Sequence, residues 1–311
     1  MLWLTKKHCK KDFAIGGFII KKIRLKFTSH AGAKKQSRSI FGNAIIILLL
    51  LMVGAFMLLP LFYAIMQSFK PIEELFLYPP RFYVMRPVTT NYTTLFRLIN
   101  NLWVPFSRYL FNSGLITIIV AVGQIILASA AAYTLSKFKT RISWTFQIVV
   151  LALLFNGTVL ALPQYIIMTK LNIINTYFAY ILPALPSSMA LFLMKQFMDQ
   201  IPNVLIEAAQ IDGANHYSIY WRIIMPAVKP AWLTVLIFSF QAIWSTSAGS
   251  VIYDEELKML PDAINQVLSG SIERTGASTA GSVLLMIPPI ITFILTQSNV
   301  VETMASSGIK E

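Results

Sequence analysis

Charged residues, cysteine and histidine are all scarce in this chain, and each shortage argues against a class of protein. Asp, Glu, Lys and Arg make up 13% of the 311 residues, against about 25% in typical soluble domains. A single cysteine, Cys9, excludes an intrachain disulfide. None of the three histidines, His8, His30 and His216, lies in an apolar run. Their placement argues against a histidine-built metal site or a Ser-His catalytic pair inside such a run.

Ionisable side chains are nearly absent from the long apolar runs as well. Proton pumps, ion-coupled carriers and voltage sensors need Asp, Glu, Lys or Arg at membrane depth, so this absence argues against those classes. The runs carry neutral hydrogen-bonding groups next to aromatic rings, which suit an uncharged, hydroxyl-rich solute. Four residues are the candidates for a solute pathway: Asn156, Gln164, Gln241 and Trp244. The alternative for each of them is a hydrogen bond to a neighbouring helix.

Apolar residues dominate what remains. They make up 56% of the chain, and the mean hydropathy is +0.64. Runs of about 20 apolar residues, the length that crosses a bilayer as a helix, recur along the sequence. We therefore predict an all-α, multi-pass protein of the cell membrane with six transmembrane helices. The predicted spans cover residues 41–66, 110–135, 144–162, 177–198, 231–249 and 280–296.

Basic residues are unevenly distributed, and their distribution predicts the orientation. Eleven of the 26 Lys and Arg precede residue 40. A basic block before a first span is typical of a cytoplasmic anchor near anionic lipid rather than of a nucleic-acid surface. Six spans place 18 of the 26 on the N-terminal side, with both termini in the cytoplasm. The predicted domains are a basic cytoplasmic extension at 1–39, a transmembrane domain at 40–298 and a cytoplasmic tail at 299–311.

Two long connections are predicted on the outer side of the membrane. Residues 67–107 are rich in proline and aromatic side chains and predict an ordered cap or a surface-lying segment. Residues 251–276 contain the acidic run 254–256 and predict a solvated loop. Contact with an external protein is the alternative for this second loop.

A polar, glycine-containing stretch, EAAQIDGANHYSIYWRIIMP at 207–226, separates the fourth and fifth predicted spans. Pro202 and Asn203 favour a helix start just before it. Gly213 favours a helix end at positive φ. The loop 199–230 is therefore predicted to hold two short helices joined by a sharp turn.

The second helix of this loop has its own boundary signals, since Asn215 can cap it and Pro226 is expected to stop it. Apolar residues at helical spacing predict an amphipathic face on each helix. Such a knob suits docking in a groove of a partner protein, where Glu207 and Asp212 could meet basic groups. A helix resting on lipid headgroups is the alternative. The apolar positions are Val204, Leu205, Ala208, Ala209 and Ile211, then Tyr217, Tyr220, Ile223 and Ile224.

The stretch resembles the EAA loop of permease subunits of ATP-binding-cassette (ABC) importers. The residues that match are Glu207-Ala208-Ala209, Asp212-Gly213-Ala214, Ile223 and Pro226, with Met225 where the family usually has leucine. Residues 163–202, 70–82 and 91–96 are similar to segments of carbohydrate permeases of the maltose-importer type, most of all to members that handle oligosaccharides. The resemblance extends from about residue 40 to the C terminus.

This resemblance implies a permease subunit that imports an oligosaccharide and is not itself an enzyme. A second permease would complete the pathway, an ATPase dimer would dock beneath both, and an external solute-binding protein would deliver the sugar. ATP and Mg²⁺ would be bound by the ATPase, in agreement with the lack of a G-x-x-x-x-G-K-[ST] motif in this sequence. The coupling residues that the resemblance implies are Glu207, Ala208, Ala209, Asp212, Gly213, Ala214 and Pro226.

Other classes of function remain open to different degrees. A stand-alone secondary carrier would need intramembrane ionisable groups and often paired halves. A membrane-embedded enzyme would need clustered His, Asp, Glu or Ser, and the sequence shows neither pattern. A non-transporting scaffold is opposed only by the EAA-like loop. The C-terminal residues 306–311 either reach between the ATPase subunits, as in related permeases, or form a disordered tail.

Overall fold

The computed structural model describes residues 40–138, 144–155, 157–248, 251–268 and 272–307. In these ranges the chain is helical and contains no β-strand, so the all-α prediction is confirmed. The first helices are α1 (Ile40–Ser68), α2 (Ile72–Leu75), α3 (Thr90–Asn100), α4 (Phe106–Lys137), α5 (Trp144–Ala152), α6 (Gly157–Lys170), α7 (Phe178–Ala184) and α8 (Ser188–Asp199). They are followed by α9 (Asn203–Ile211), α10 (His216–Ile219), α11 (Met225–Ala227), α12 (Lys229–Trp244), α13 (Leu260–Leu268) and α14 (Thr275–Ser307). A π-helix (Tyr220–Ile224) joins α10 to α11, and 3₁₀ turns lie at Glu255–Leu257 and Ile272–Arg274.

The chain divides into two units, Met1–Ala55 and Phe56–Glu311. The described part of the first unit is the start of α1, whose apolar side chains are almost all exposed. An exposed helical surface of this length and composition is suited to contact with lipid. The second unit contains the other described helices and both candidate sites.

Three helices in the described ranges are long and apolar enough to cross a membrane: Phe41–Ser68, Phe106–Lys137 and Thr275–Gln297. The number rises to five if each of two bent helix pairs is one span. One pair is α7 with α8, bent by 41°, and the other is α10–α11 with α12, bent by 76°. Each of these five overlaps a span that the sequence predicts.

The third predicted span, 144–162, is not a single helix. Its described residues fall in α5, α6 and the turns between them. The backbone N–H groups of Leu153, Leu154 and Phe155 bond carbonyls three residues back rather than four. Such tight turns end an α-helix, so the predicted count of six transmembrane helices is not confirmed.

Helix α4 lies at the centre of the second unit, packed against both α8 and α12. Ala128 and Ala132 of α4 are buried in one cluster with Met194 of α8. A Cβ at Gly123 would lie 2.5 Å from a side-chain carbon of Leu185. Small residues at helix contacts are typical of membrane proteins, where close backbone packing drives helix association.

Gln124 of α4 supports the break between α7 and α8. Pro183 and Pro186 remove backbone donors from this region. The side-chain Nε2 of Gln124 donates to the carbonyl of Ala184 at 2.5 Å. Its Oε1 accepts a hydrogen bond from the hydroxyl of Ser239 in α12. One buried amide therefore connects three membrane helices.

A folded cap covers the N-terminal end of α4, formed by α3 and residues 251–268. Leu95 and Ile99 of α3 are fully buried, which confirms the ordered cap predicted within 67–107. The side-chain amide of Asn112 donates to the carbonyls of Glu256 at 2.7 Å and Lys258 at 3.0 Å. These contacts fasten the cap to α4.

The solvated loop predicted at 251–276 is wrong for most of its described residues. Met259 and Ile264 are fully buried, and Glu255 is half-buried beside Lys258. Only Asp254 and Glu256 in the acidic run are exposed as predicted. The prediction was based on the three acidic residues, which favour solvation. It did not take account of the apolar residues that follow them and pack on α4.

Candidate functional site

The loop 199–230 begins with a short helix that ends at a left-handed glycine. α9 starts directly after Pro202, as the sequence predicts, and Asp212 is its C-cap. Gly213 then has a φ of 83°. Both predicted boundaries of the first helix are therefore confirmed.

Two backbone hydrogen bonds define the turn at Gly213 as a Schellman motif. The N–H of Gly213 bonds the carbonyl of Gln210 at 3.0 Å, and the N–H of Ala214 bonds that of Ala209 at 2.9 Å. The motif satisfies carbonyls that a helix end leaves free, and so it stabilises the turn. A Cβ at Gly213 would meet no atom within 4 Å, so the backbone conformation alone requires glycine here.

The second helix of the loop is capped as predicted. The side-chain Oδ1 of Asn215 accepts from the N–H of Ser218 at 2.8 Å, which is an N-cap bond. α10 follows directly from this cap. The turn and cap together fix the direction of the second helix relative to α9.

Pro226 does not stop this helix, so that prediction is wrong. The chain widens into the π-helix Tyr220–Ile224 and continues through α11 to Ala227. The N–H of Met225 bonds the carbonyl of Tyr220, five residues back. This wider turn gives room to the ring of Pro226, which in an α-helix clashes with the carbonyl four residues earlier. The 76° bend comes afterwards, at the break between α11 and α12.

The loop packs one apolar face onto the helix bundle. Ile206, Ile219 and Ile224 are buried in a cluster with Ala132 of α4 and Met194 of α8. Burial of each such side chain contributes about 1.5–3 kcal/mol. The loop is therefore held against the bundle along its length.

The opposite face of α9 is exposed and carries two of the predicted coupling residues, Glu207 and Ala208. Ile211 is 87% exposed and Val204 is 70% exposed. The coupling residues that are exposed are Glu207, Ala208, Asp212, Gly213 and Pro226, whereas Ala209 and Ala214 are partly buried. The predicted set thus contains residues available to a partner and residues that attach the loop to the bundle.

Side-chain contacts attach the loop to the C-terminal end of α4. The ammonium group of Lys137 donates to the carbonyl of Ile201 at 2.6 Å. The hydroxyls of Ser129 and Tyr220 share a buried hydrogen bond, and the rings of Tyr133 and Tyr220 lie 5.5 Å apart. Sequence reasoning missed these attachments, because it treated Lys137 only as a charge that sets orientation. The available signal was the position of Lys137 in the last turn of a predicted span, where a lysine can bond nearby backbone carbonyls.

The carboxylates of Glu207 and Asp212 have no salt-bridge partner among the residues that the structure describes. The ion pairs found there are Lys195–Asp199, at 2.7 Å, and Lys258–Glu255. Two exposed, unpaired carboxylates beside exposed apolar side chains are therefore available for an intermolecular contact.

A second candidate site is a cavity of about 320 Å³ lined by residues of α6, α7 and the end of α12. Ligand pockets begin at about 300 Å³, so this volume is sufficient for a small ligand or for one unit of a longer one. Its polar lining residues are Gln164, Tyr165, Tyr180, Thr246 and Ser247.

A buried carboxylate, that of Asp262, lies behind this cavity. The residue is 5% exposed. The hydroxyl of Tyr180 donates to its Oδ2 at 2.6 Å. The hydroxyl of Ser247 and the N–H of Ala248 donate to its Oδ1 at 2.5 and 2.9 Å. These donors compensate for the lost hydration of the carboxylate, which also lies in the first turn of α13.

Sequence reasoning missed Asp262 because it lies in the loop that was predicted to be solvated. The available signal was local: Pro261 followed by Asp262 is typical of the first turn of a helix. That signal predicts the start of α13, but it does not predict that Tyr180 and Ser247 bond the carboxylate of Asp262.

The three predicted pathway residues that the structure describes, Gln164, Gln241 and Trp244, are not brought together in one site. Gln164 lines the cavity, whereas Gln241 is exposed on α12 and is not among the lining residues. Trp244 is 3% exposed, and its indole N–H donates to the carbonyl of Leu285 at 3.1 Å. Asn156 lies outside the described residues. The pathway role of these residues stays a prediction, and Trp244 has a packing role in this structure.

Comparison with known proteins identifies the family. No family model matches the chain. The probable ABC transporter permease protein YurM of Bacillus subtilis is 30% identical to it over 209 residues, which are 66% of this chain and 70% of YurM. The chain belongs to the ABC transporter permeases. The family that the sequence resemblance implied is thereby confirmed.

Two further proteins extend the similarity over most of this ABC transporter permease. The arabinooligosaccharides transport system permease protein AraQ of Halalkalibacterium halodurans is 28% identical over 261 residues, 81% of this chain and 90% of AraQ. The crystal structure of a bacterial ABC transporter involved in alginate import contains a chain with the same fold. It matches with a TM-score of 0.66 and 22% identity, over 84% of this chain and 98% of the other.

Membership in the ABC transporter permeases agrees with the predicted location. Several helices of the permease are apolar and long enough to span a membrane. The protein is therefore a multi-pass membrane protein, and it acts as a transport subunit.

Proposed function

We propose that this ABC transporter permease imports an oligosaccharide, together with a second permease, an ATPase dimer and an external solute-binding protein. The observation that carries the proposal is the exposed face of α9, held on the bundle by a buried face and ended by the Schellman turn. The name of AraQ, an arabinooligosaccharide transport protein, supports the substrate class.

The exposed face of α9 has the chemistry of a helix that docks in a groove. Val204 and Ile211 offer apolar surface, and Glu207 and Asp212 offer carboxylates to basic groups. The turn at Gly213 adds rigidity, so less conformational entropy is lost on docking. In this proposal the groove belongs to the ATPase, which binds ATP and Mg²⁺ and hydrolyses ATP.

Helix α4 offers a route from the loop to the cap. Its 32 residues span about 48 Å at 1.5 Å each. Near its C-terminal end, α4 bonds the loop through Lys137, and its Ser129 shares a hydrogen bond with Tyr220 of the loop. At its N-terminal end, α4 bonds the cap through Asn112. Closure of the ATPase would move the loop and, through α4, the cap. If ATP and the loaded binding protein favour the same state, each raises the affinity of the transporter for the other.

The proposed membrane topology has six spans and both termini in the cytoplasm. Five spans are the long helices and bent pairs, and α5 with α6 would form the remaining one across the turns at 153–155. The excess of Lys and Arg on the N-terminal side supports this orientation. The second permease, which would complete the solute pathway, would cover part of the apolar surface.

Charge reversal at Glu207 tests the proposed coupling surface. Glu207→Arg should lower the amount of ATPase that co-purifies with the permease pair by about tenfold, since a lost charge-assisted bond costs about 1.5–3 kcal/mol. ATPase activity stimulated by the sugar-loaded binding protein, measured in nanodiscs, should fall in parallel. The matched control is Glu73→Arg, because Glu73 is an exposed glutamate of α2 at the other end of the molecule. Full ATPase association of Glu207→Arg, or no association of any ATPase with the wild type, would refute the proposal.

A further inference from the structure

We infer that the cavity in front of Asp262 is a subsite for one uncharged, hydroxyl-bearing saccharide unit, and that Asp262 makes this subsite reject anionic saccharides. The inference rests on the proposed import of an oligosaccharide and specifies which chemical class of saccharide this permease accepts. It is carried by the direction of the hydroxyl protons around the cavity and by the charge behind it.

Three of the four hydroxyl groups that line the cavity, those of Tyr180, Thr246 and Ser247, are left as acceptors. A carboxylate accepts hydrogen bonds and cannot donate them, so Tyr180 and Ser247 both direct their protons to Asp262. The hydroxyl of Thr246 donates to the carbonyl of Ala242 at 2.8 Å. All three hydroxyls therefore present lone pairs to a ligand. A matching ligand must bring donors, and the hydroxyls of a sugar do so.

Gln164 supplies the complementary groups. Its side chain lines the cavity and makes no hydrogen bond to any described residue. An amide carries two donor hydrogens and one acceptor oxygen, so Gln164 can bond both the oxygen and the proton of a sugar hydroxyl. The ring of Tyr165 beside it adds an apolar surface for the C–H groups of a sugar. The cavity thus combines acceptors, a free amide and an aromatic ring.

The charge at the cavity opposes anions. A ligand atom that bonds Tyr180 or Ser247 would lie within roughly 5 Å of the carboxylate of Asp262, the length of two successive hydrogen bonds. The lining residues that the structure describes include no lysine or arginine to offset that charge. Like charges repel each other at this distance. A uronate or a phosphate ester in this cavity is therefore disfavoured relative to a neutral sugar.

The size of the cavity limits what it holds. Its volume of about 320 Å³ is at the small end of the range for ligand pockets, about 300–1,000 Å³. The subsite therefore accepts one unit of a saccharide chain, and the other units lie elsewhere along the pathway.

Cysteine labelling tests occupancy of the cavity directly. In the permease pair in nanodiscs, Cys9→Ser removes the natural thiol, and Ala161→Cys puts one thiol on the cavity lining. The rate of maleimide labelling is measured against increasing concentrations of a neutral arabinooligosaccharide and of a uronate oligosaccharide of equal length. We expect the neutral sugar to protect at concentrations at least tenfold lower than the uronate sugar.

Asp262→Asn should reduce this tenfold preference to less than threefold, because it removes the charge and preserves the shape of the side chain. Asp254→Asn is the matched control, since Asp254 is an exposed aspartate of the same cap that accepts a hydrogen bond from Asn175. It should leave the preference unchanged. If Asp262→Asn does not fold, Gln164→Leu should weaken protection by the neutral sugar about tenfold.

The outcomes separate this inference from the proposed function. Import of both saccharides by the complete transporter is measured in parallel. The subsite is wrong if the wild type imports the neutral sugar but the sugar does not protect Ala161→Cys from labelling. It is also wrong if folded Asp262→Asn or Gln164→Leu behaves like the wild type. In both cases the proposed import of an oligosaccharide still stands. If the wild type imports neither saccharide, the proposed function is wrong and the subsite falls with it.

Discussion

Gly213 has a φ of 83°, a conformation in which any other residue places its Cβ against the backbone. Space around it is open, so the requirement for glycine is conformational rather than steric. Gly114, inside α4, also has open space but has ordinary helical geometry. The two positions therefore differ in the one property that decides whether a methyl group is tolerated.

Gly213→Ala should lower the free energy of unfolding by about 1–2 kcal/mol, because alanine is strained at positive φ. Gly114→Ala should raise it by up to about 1 kcal/mol, because alanine is the better helix former. Thermal unfolding of the purified permease in detergent measures both. Equal shifts for the two variants would contradict the conformational explanation.

Helix α4 illustrates how polar side chains organise an element inside an apolar bundle. Gln124, Ser129 and Lys137 each bond a different part of the second unit: the end of α7, the π-helix and the start of the loop. Gln124 also receives the hydroxyl of Ser239. Because α7 ends at Ala184 beside two prolines, its last carbonyl depends on the amide of Gln124.

Gln124→Leu should destabilise the permease by about 1–3 kcal/mol, since it leaves the carbonyl of Ala184 and the hydroxyl of Ser239 unpaired in the interior. Gln147→Leu is the matched control, because Gln147 is exposed on the apolar helix α5. It should leave stability nearly unchanged. Thermal unfolding measures the stability of both variants. A decrease in stability of the same size in each would mean that the hydrogen bonds of Gln124 make no specific contribution.

At the scale of the whole molecule, α4 connects a cap at one end to the loop 199–230 at the other. The cap contact includes Glu255, which accepts from the hydroxyl of Tyr109 at 3.0 Å. Burial alone would raise the pKa of Glu255, but hydrogen bonds from Lys258, Tyr109 and Gln266 and the charge of Lys258 keep that pKa below its ordinary value. The ionised form of Glu255 therefore stabilises the folded cap.

This shift predicts how stability depends on pH. The contribution of Glu255 is complete above its unfolded pKa of about 4.5 and is lost as pH falls through the lower folded value. Melting temperatures measured from pH 6 to pH 3 should show a smaller acid-induced decrease for Glu255→Gln than for the wild type. Glu256→Gln, which changes its exposed neighbour, should keep the full decrease. An unchanged decrease in Glu255→Gln would exclude this role.

The sequence by itself determined the local structure of the loop 199–230. The helix start at Asn203, the turn at Gly213 and the cap at Asn215 depend on residues within a few positions of one another, so short-range geometry is sufficient. Of the six spans that hydropathy predicts, five coincide with long helices or bent pairs, because length and apolarity are properties of a single segment.

Only the tertiary structure decided which polar groups are buried and what they face. Tyr180 and Asp262 are 82 positions apart, and Trp244 and Leu285 are 41 apart, so no local pattern in the sequence joins them. The role of Trp244 in packing and the carboxylate behind the cavity follow from the docking of α7, α13 and α14 against α12 and α4. Burial is a property of packed elements, and therefore the helix that carries the exposed face of α9 could be predicted from the sequence, while the polar cavity could not.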